Sequence, residues 1–266
     1  MNVISGLRQL VHDPVDTYYK ALSRWHERNE RHTPHCYYES NEDWRQQLGV
    51  SDHDREETHR LSRSIQATLT AKGIRPGPES YLFWNDGDPA FTQAIWCLIR
   101  RLHAVKIVET GVAHGVTSRF ILEALEGRGH LWSVDLPPSW APSLHHEVGA
   151  AVLDRLSQEW SLIVGRSQRR LPPLLNKIAP IDIFVHDSHH SKYNMLFEMT
   201  QGWRALRPGG AMVVDDIDLN TAFEEFSQTI VGEKLVCEAE PIRPDTRRFN
   251  QKGLFGILIK PAASRH

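Results

Sequence analysis

VKIVETGVAHGVTSRFILEALEG, Val105 to Gly127, changes character twice within a short span. Val105, Ile107 and Val108 are β-branched and apolar, as a buried strand requires. Gly111 and Gly115 then allow a tight turn and a close backbone approach. From Val116 the apolar residues Phe120, Ile121, Ala124 and Leu125 recur at helical spacing, and Gly127 ends the run. Strand, glycine turn and helix make the first half of a βαβ unit, so the chain around it is read for further alternation.

Downstream the pattern continues. HLWSVDL (from His130), WSLIVG (from Trp160), IDIFVH (from Ile181) and AMVVDD (from Ala211) read as strands. Helices are expected between them, at His145 to Gln158, at Ser167 to Ile178 (interrupted by Pro172 and Pro173), and from the SHHSKYNM stretch to about Leu206. That order predicts a doubly wound, mostly parallel α/β sheet. KLVCEAEP and GLFGILIK complete seven strands, and the short connection Ile242 to Lys252 suits a C-terminal antiparallel hairpin better than a crossover.

Upstream, residues 1–75 are polar and hold six of the fifteen histidines. They predict a helical N-terminal extension beside a domain of residues 76–266. Asp13-Pro14 starts one helix, ending near Arg31, and Ser51-x-x-Asp54 forms a capping box for another running to Gly73. Arg75 to Ser80 reads as a linker, and Asp88-Pro89 opens an apolar helix through Ile95, Leu98 and Leu102. The extension is expected to cap the strand ends and to offer an oligomer contact.

Bulk composition narrows the partners. With 31 Lys and Arg against 33 Asp and Glu, the chain has no electrostatic footprint for nucleic acid or an anionic membrane, so the expected partner is a small molecule. Cys36, Cys97 and Cys237 form no CxxC and are odd in number, which argues for a reducing compartment. The opening MNVISGLRQLVHDP has no basic segment followed by a long apolar run, and the protein is expected to be cytoplasmic.

Chemistry-bearing residues collect where the strands end. In open α/β sheets the ligand sits beyond those carboxyl ends. Glu109, Gly111, Gly115 and Ser118 follow the first strand, and Asp135 ends the second, 20 residues beyond Gly115. A carboxylate at that place accepts hydrogen bonds from both hydroxyls of an adenosine ribose. Asp187, Ser188, His189 and His190 follow the fourth strand, and Asp215 and Asp216 the fifth. The structural alternative is a glycine turn, solvated strand ends and a helix cap at Asp215-Asp216.

The spacing is G-x-x-x-G rather than G-x-G-x-x-G, and Glu109 two residues before the first glycine would repel a pyrophosphate. It could attract the α-ammonium of an amino-acid cofactor instead. This combination resembles the S-adenosylmethionine-dependent methyltransferases of the Rossmann-like class, over roughly Tyr81 to Pro261. Within that class the acid-ended strands resemble the metal-dependent small-molecule O-methyltransferases related to macrocin O-methyltransferase and, more distantly, to the catechol and caffeoyl-CoA enzymes.

The resemblance implies S-adenosylmethionine held by Glu109, Gly111, Gly115, Ser118, Asp135, Ser167 and Asp187. It implies Mg²⁺ held by Asp187, Asp215 and Asp216, where converging carboxylates repel unless protonated or bridged by a hard cation. It implies a base at His190 or His189, with His190 favoured, and a hydroxyl on a sugar or other small natural product as acceptor. Where relatives show G-D-S or G-D-A after the third strand this chain has Gly165-Arg166-Ser167, so only Ser167 could accept from an adenine amino group. The Tyr81-to-Pro89 stretch is expected over the methionine end of the cofactor. Two other functions fit the sequence: an NAD(P)-dependent oxidoreductase, against which the glycine spacing and the lack of a Tyr-x-x-x-Lys pair weigh, and a non-catalytic cofactor-binding protein of a biosynthetic cluster.

Overall fold

A computed structural model describes residues 14–29, 40–41, 43–74, 88–137, 142–238 and 253–263. Asp13, Cys36, the linker Arg75 to Ser80, the Tyr81-to-Gly87 stretch and the Ile242-to-Lys252 connection lie outside the described residues. Four helices precede the sheet: α1 (Pro14–Asn29), α2 (Trp44–Gln47), α3 (Asp52–Ala71) and α4 (Pro89–Leu102). Then follow β1 (Lys106–Thr110), α5 (Val116–Leu125), β2 (His130–Asp135), β3 (Trp160–Val164), α6 (Ser167–Ile178), β4 (Ile181–His186) and α7 (Lys192–Ala205). β5 (Leu206–Val214), α8 (Ala222–Gln228), β6 (Glu233–Glu238) and β7 (Leu254–Ile259) complete the order.

The seven strands form one sheet, β3-β2-β1-β4-β5-β7-β6. β1 to β5 pair in parallel, while β7 is antiparallel to both β5 and β6. This is a Rossmann-like, doubly wound α/β sheet closed by an antiparallel pair of strands. Strand alternation sends Ile107, Ile183, Val185 and Val213 to the face covered by α4 and α5, and Val108, Phe184, Met212 and Val214 to the face covered by α6, α7 and α8. Being buried on both sides explains why these strands read as continuous apolar runs.

The capping signals operate as the sequence implies. Ser51 and Asp54 bond reciprocally at the start of α3. Asp88 accepts from the backbone of Ala90 and Phe91 ahead of α4, with Pro89 in the first turn. Trp44 of α2 and Ile65 and Leu69 of α3 are buried in the same core as Phe91 and Phe255, and Trp44 meets Phe255 edge-on at 5.5 Å. Residues 44–71 therefore share the core of the sheet, while α1 lines the cleft at the strand ends.

One expectation is corrected. His145 to Gln158 is no single helix; it holds 3₁₀ turns at Pro142–Glu147 and Asp154–Glu159, separated by Gly149 at φ +72°. Tertiary hydrogen bonds explain this: the N–H groups of Gly149 and Ala151 go to the carbonyls of Ala113 and His114 in the glycine turn. Satisfied there, they cannot serve a helix. The approach is so close that a Cβ on Gly115 would stand 2.8 Å from Cα of Gly149.

Candidate functional site

The strand order reverses between β1 and β4, and the crevice opens there. Gly111 leaves β1 at φ +86°, and a Cβ on it would lie 1.8 Å from the carbonyl oxygen of Asp187. No other residue fits where these two loops cross. Backbone hydrogen bonds extend the ladder past the strands: Asp187 N–H to Thr110 (2.9 Å), Asp215 N–H to His186 (2.9 Å) and Gly165 N–H to Asp135 (2.8 Å). Above them lies a cleft of about 760 Å³.

Gly111, Asp135, Ser167, Asp187, His189 and His190 line this cleft. Glu109, Ser118 and Gly115 do not; they lie beneath its glycine turn. Glu109 is fully buried, and its Oε2 accepts hydrogen bonds from Ser118 (2.6 Å) and Ser133 (2.7 Å). Its Oε1 is buried with no hydrogen-bond partner among the described residues. Burial pushes its carboxyl up to about 7, more than the two serine bonds hold it down. Arg166 and Ser167 stand at the β3 end as the sequence placed them, with Ser167 Oγ donating to Asn194 Oδ1 at 3.2 Å.

Asp187, His190 and Asp215 come together, offering one ligand atom each within 4.8 Å of one another. Burial, together with the charges of Glu109 and Asp216, raises the Asp187 carboxyl well above the usual range. Burial, Asp216 and Asp187 do the same to Asp215. Asp216 stands beside this group rather than in it: its backbone is left-handed at φ +49°, its side chain is 39% exposed, and its Oδ2 is 3.8 Å from Nδ1 of His190. Burial holds the His190 imidazole down, to about 3, assisted by His186 and His189. Neither ring nitrogen of His190 has a hydrogen bond among the described residues, and Nε2 is buried. His189 differs: 64% exposed, it faces the cleft with Nε2 2.8 Å from Oε1 of Glu27.

Two carboxyls driven toward neutrality and an imidazole whose buried Nε2 has no hydrogen-bond partner among the described residues fit a divalent cation. Such an ion would offset the carboxylate repulsion and supply the imidazole's missing partner.

Two groups escape a reading of the sequence. Glu198 of α7 is fully buried at the edge of the cleft and accepts from Thr110 (2.5 Å), Ser188 (2.9 Å) and Asn194 (3.0 Å), with Nδ1 of His186 at 2.6 Å. Burial pushes this carboxyl up, but the His186 bond and charge and the hydroxyl bonds overcome it and hold it at about 2. An ionised carboxylate only accepts, so Nδ1 of His186 carries the hydrogen. The second group is one face of α1, where Lys20, Ser23, Arg24 and Glu27 recur at helical spacing and line the cleft. His26 on the same helix stacks on Tyr193 of α7, 4.2 Å between ring centres. A polar stripe at i, i+3, i+4 and i+7 was the available signal; on its own it reads as a solvated face.

Comparison with known proteins agrees with this architecture. Residues 108–217, from β1 to the turn after β5, match the family model described as a methyltransferase domain. An O-methyltransferase from Bacillus cereus, in complex with S-adenosylhomocysteine, superposes with TM-score 0.54 at 15% identity, covering 82% of this chain and 96% of that one. The O-methyltransferase of tomaymycin synthesis from Streptomyces achromogenes, in complex with S-adenosylmethionine, gives 0.52 at 19% identity, covering 82% and 94%. At such identities the likeness establishes the fold. No curated protein matches the chain by sequence. Among the described residues no helix is long and apolar enough to cross a membrane.

Proposed function

We propose that this protein transfers the methyl group of S-adenosylmethionine to a hydroxyl of a small molecule such as a sugar or other natural product, with a divalent cation, Mg²⁺ or a related ion, at the carboxylates Asp187 and Asp215. The observation that carries this reading is the cleft at the β1/β4 switch point, lined both by a ribose-type acid, Asp135, and by Asp187 and His190 of the cation-type cluster. In it the backbone of Gly111 to Ala113 lies against the cofactor, and Asp135 accepts from the ribose hydroxyls. The reaction is an in-line displacement in which the acceptor oxygen bonds to the methyl carbon as the carbon–sulfur bond breaks and the sulfonium becomes a neutral thioether. When bound, a divalent cation supplies Lewis acidity that lowers the pKa of the hydroxyl.

The chain's own residues orient the partners and take the proton. His189 is open to the cleft and held by Glu27, so it is better placed than His190 to accept the hydroxyl proton. The face of α1 closes the acceptor side and keeps water from the sulfonium.

Calorimetry with S-adenosylhomocysteine tests the cofactor assignment. Asp135→Ala removes charge-assisted hydrogen bonds and should weaken binding by about 2 kcal/mol, roughly thirtyfold. Unchanged affinity would place the ribose elsewhere, and tighter binding of NAD than of S-adenosylhomocysteine would return the oxidoreductase. Tight binding without transfer from labelled S-adenosylmethionine to any of a panel of hydroxylated acceptors would favour a non-catalytic cofactor-binding protein.

A further inference from the structure

We infer that His190 is itself a ligand of the cation, so that the site is a two-carboxylate, one-imidazole centre selecting a nitrogen-accepting ion such as Mn²⁺, Fe²⁺ or Zn²⁺ over Mg²⁺. The inference rests on the proposed reaction only for the presence of a cation; it concerns which residues hold the ion and which ion they prefer.

The sequence places three acids at the ends of β4 and β5, a set of hard oxygen donors. The fold does not gather those three. It gathers Asp187, Asp215 and a ring nitrogen of His190 within 4.8 Å, and leaves Asp216 exposed to water beside the imidazole. The position of His190 is fixed by its backbone, since its carbonyl accepts from Asn220 Nδ2 at 2.8 Å and the next residue, Ser191, caps α7. A buried imidazole ordinarily finds at least one hydrogen bond, as Nδ1 of His186 does with Glu198 two turns into α7, although Nε2 of His186 has none among the described residues. Among the described residues neither nitrogen of His190 has a hydrogen bond, and Nε2 is buried. A cation among the three donors accounts for both facts.

Donor type then sets preference. Mg²⁺ demands oxygen ligands in near-ideal octahedral geometry and gains little from imidazole. Mn²⁺, Fe²⁺ and Zn²⁺ accept it readily, with affinity rising along that series. Asp216, 3.8 Å from Nδ1, is then a positioning carboxylate behind the imidazole, a common arrangement around metal-bound histidine.

The test is spectroscopic and uses the full chain. Mn²⁺ added to wild-type protein should give an electron spin echo signal modulated by a directly bound nitrogen. Labelling histidine with ¹⁵N should change that modulation, without relying on the folding of any variant. His190→Gln should abolish it while His189→Gln leaves it intact. By calorimetry, wild type should prefer Zn²⁺ to Mg²⁺ by at least about a hundredfold, and His190→Gln should shrink that ratio at least about tenfold. Mn²⁺ bound with no nitrogen modulation, or modulation lost only in His189→Gln, would overturn this inference and leave the cation in the proposed reaction standing. No Mn²⁺ binding at all would overturn both.

Discussion

Glu198 with His186 and Asp187–Asp215 with His190 are two acid–imidazole clusters built around the same strand end, a lower one centred on α7 and an upper one in the loops after β4 and β5. Both have their carboxyls taken out of water, which by itself raises a carboxyl pKa in either place. In the lower cluster four donors converge on Glu198 and reverse the effect, so the acid stays ionised and locks β1, β4 and α7 together. In the upper cluster the hydrogen bond between Asp187 and Asp215 does not reverse it. Asp187 and Asp215 also feel the charge of Asp216, and among the described residues neither ring nitrogen of His190 has a hydrogen bond. The contrast separates a brace from a receptive site: one fully buried carboxylate met by four donors, against two half-buried carboxyls whose mutual repulsion is not offset. A brace should fail when any partner is removed, whereas an unsatisfied cluster should relax.

The largest expected effect is on the brace. Glu198→Ala leaves Thr110, Ser188, Asn194 and His186 as buried donors without their acceptor, and should cost about 3–5 kcal/mol in urea unfolding. A loss under about 1 kcal/mol would mean the network is not what joins the elements, and the contrast would collapse.

Glu109 lies between the two extremes, with one oxygen satisfied by Ser118 and Ser133 and the other bare. Its folded carboxyl near 7 lies above the usual 4.5. The folded state therefore holds the proton more tightly, and the stability this confers is fully present below about 4.5 and lost as pH rises through 7. Glu109→Gln keeps the shape without the titration. In cofactor-free protein its thermal stability should match wild type near pH 5 and exceed it by about 3 kcal/mol at pH 8. Parallel pH profiles for the two proteins would show that Glu109 is ionised without penalty.

How much of this could be read in the sequence follows the range of the interactions involved. The strands around Ile107, Phe184 and Val213 and the caps at Ser51 and Asp88 are written in a few adjacent residues, and the structure agrees with them closely. The glycine turn was legible as a turn, but its neighbour was not. His145 to Gln158 has helical composition, and only the hydrogen bonds to Ala113 and His114, over thirty residues away in the chain, show why it does not wind. The acids at the strand ends were legible because α/β topology always brings strand ends together. Their grouping was not, since the left-handed turn at Asp216 carries that side chain aside while His190 enters from the α7 side. Glu198 left its signal at Asn194 and Glu198, polar residues one turn apart on a buried helix face, but Thr110 and His186 are needed to show its meaning. The α1 stripe makes sense only once α1 is seen against the cleft.

The smallest predicted effect is also the sharpest test of the contrast, because its sign is opposite to that of Glu198→Ala. Asp215→Asn removes one ionisable member of a carboxyl pair whose mutual hydrogen bond does not offset its burial and repulsion, and leaves its volume nearly unchanged. In metal-free protein the substitution should be neutral or stabilise by about 1 kcal/mol, as replacing members of poorly compensated buried charge clusters commonly does. Because the folded Asp187 and Asp215 carboxyls are raised, their contribution to wild-type stability falls as pH rises, so the gain from Asp215→Asn should be larger at pH 8 than at pH 5. Adding Mn²⁺ should reverse the ranking, since a ligand that binds only the folded state raises the wild-type melting temperature and finds a weakened site in the variant. Melting curves at both pH values, with and without the ion, contain the whole test. A loss of several kcal/mol in metal-free Asp215→Asn would make the upper cluster a second brace, held by the Asp187–Asp215 hydrogen bond, and would leave the cleft without a receptive site for a cation.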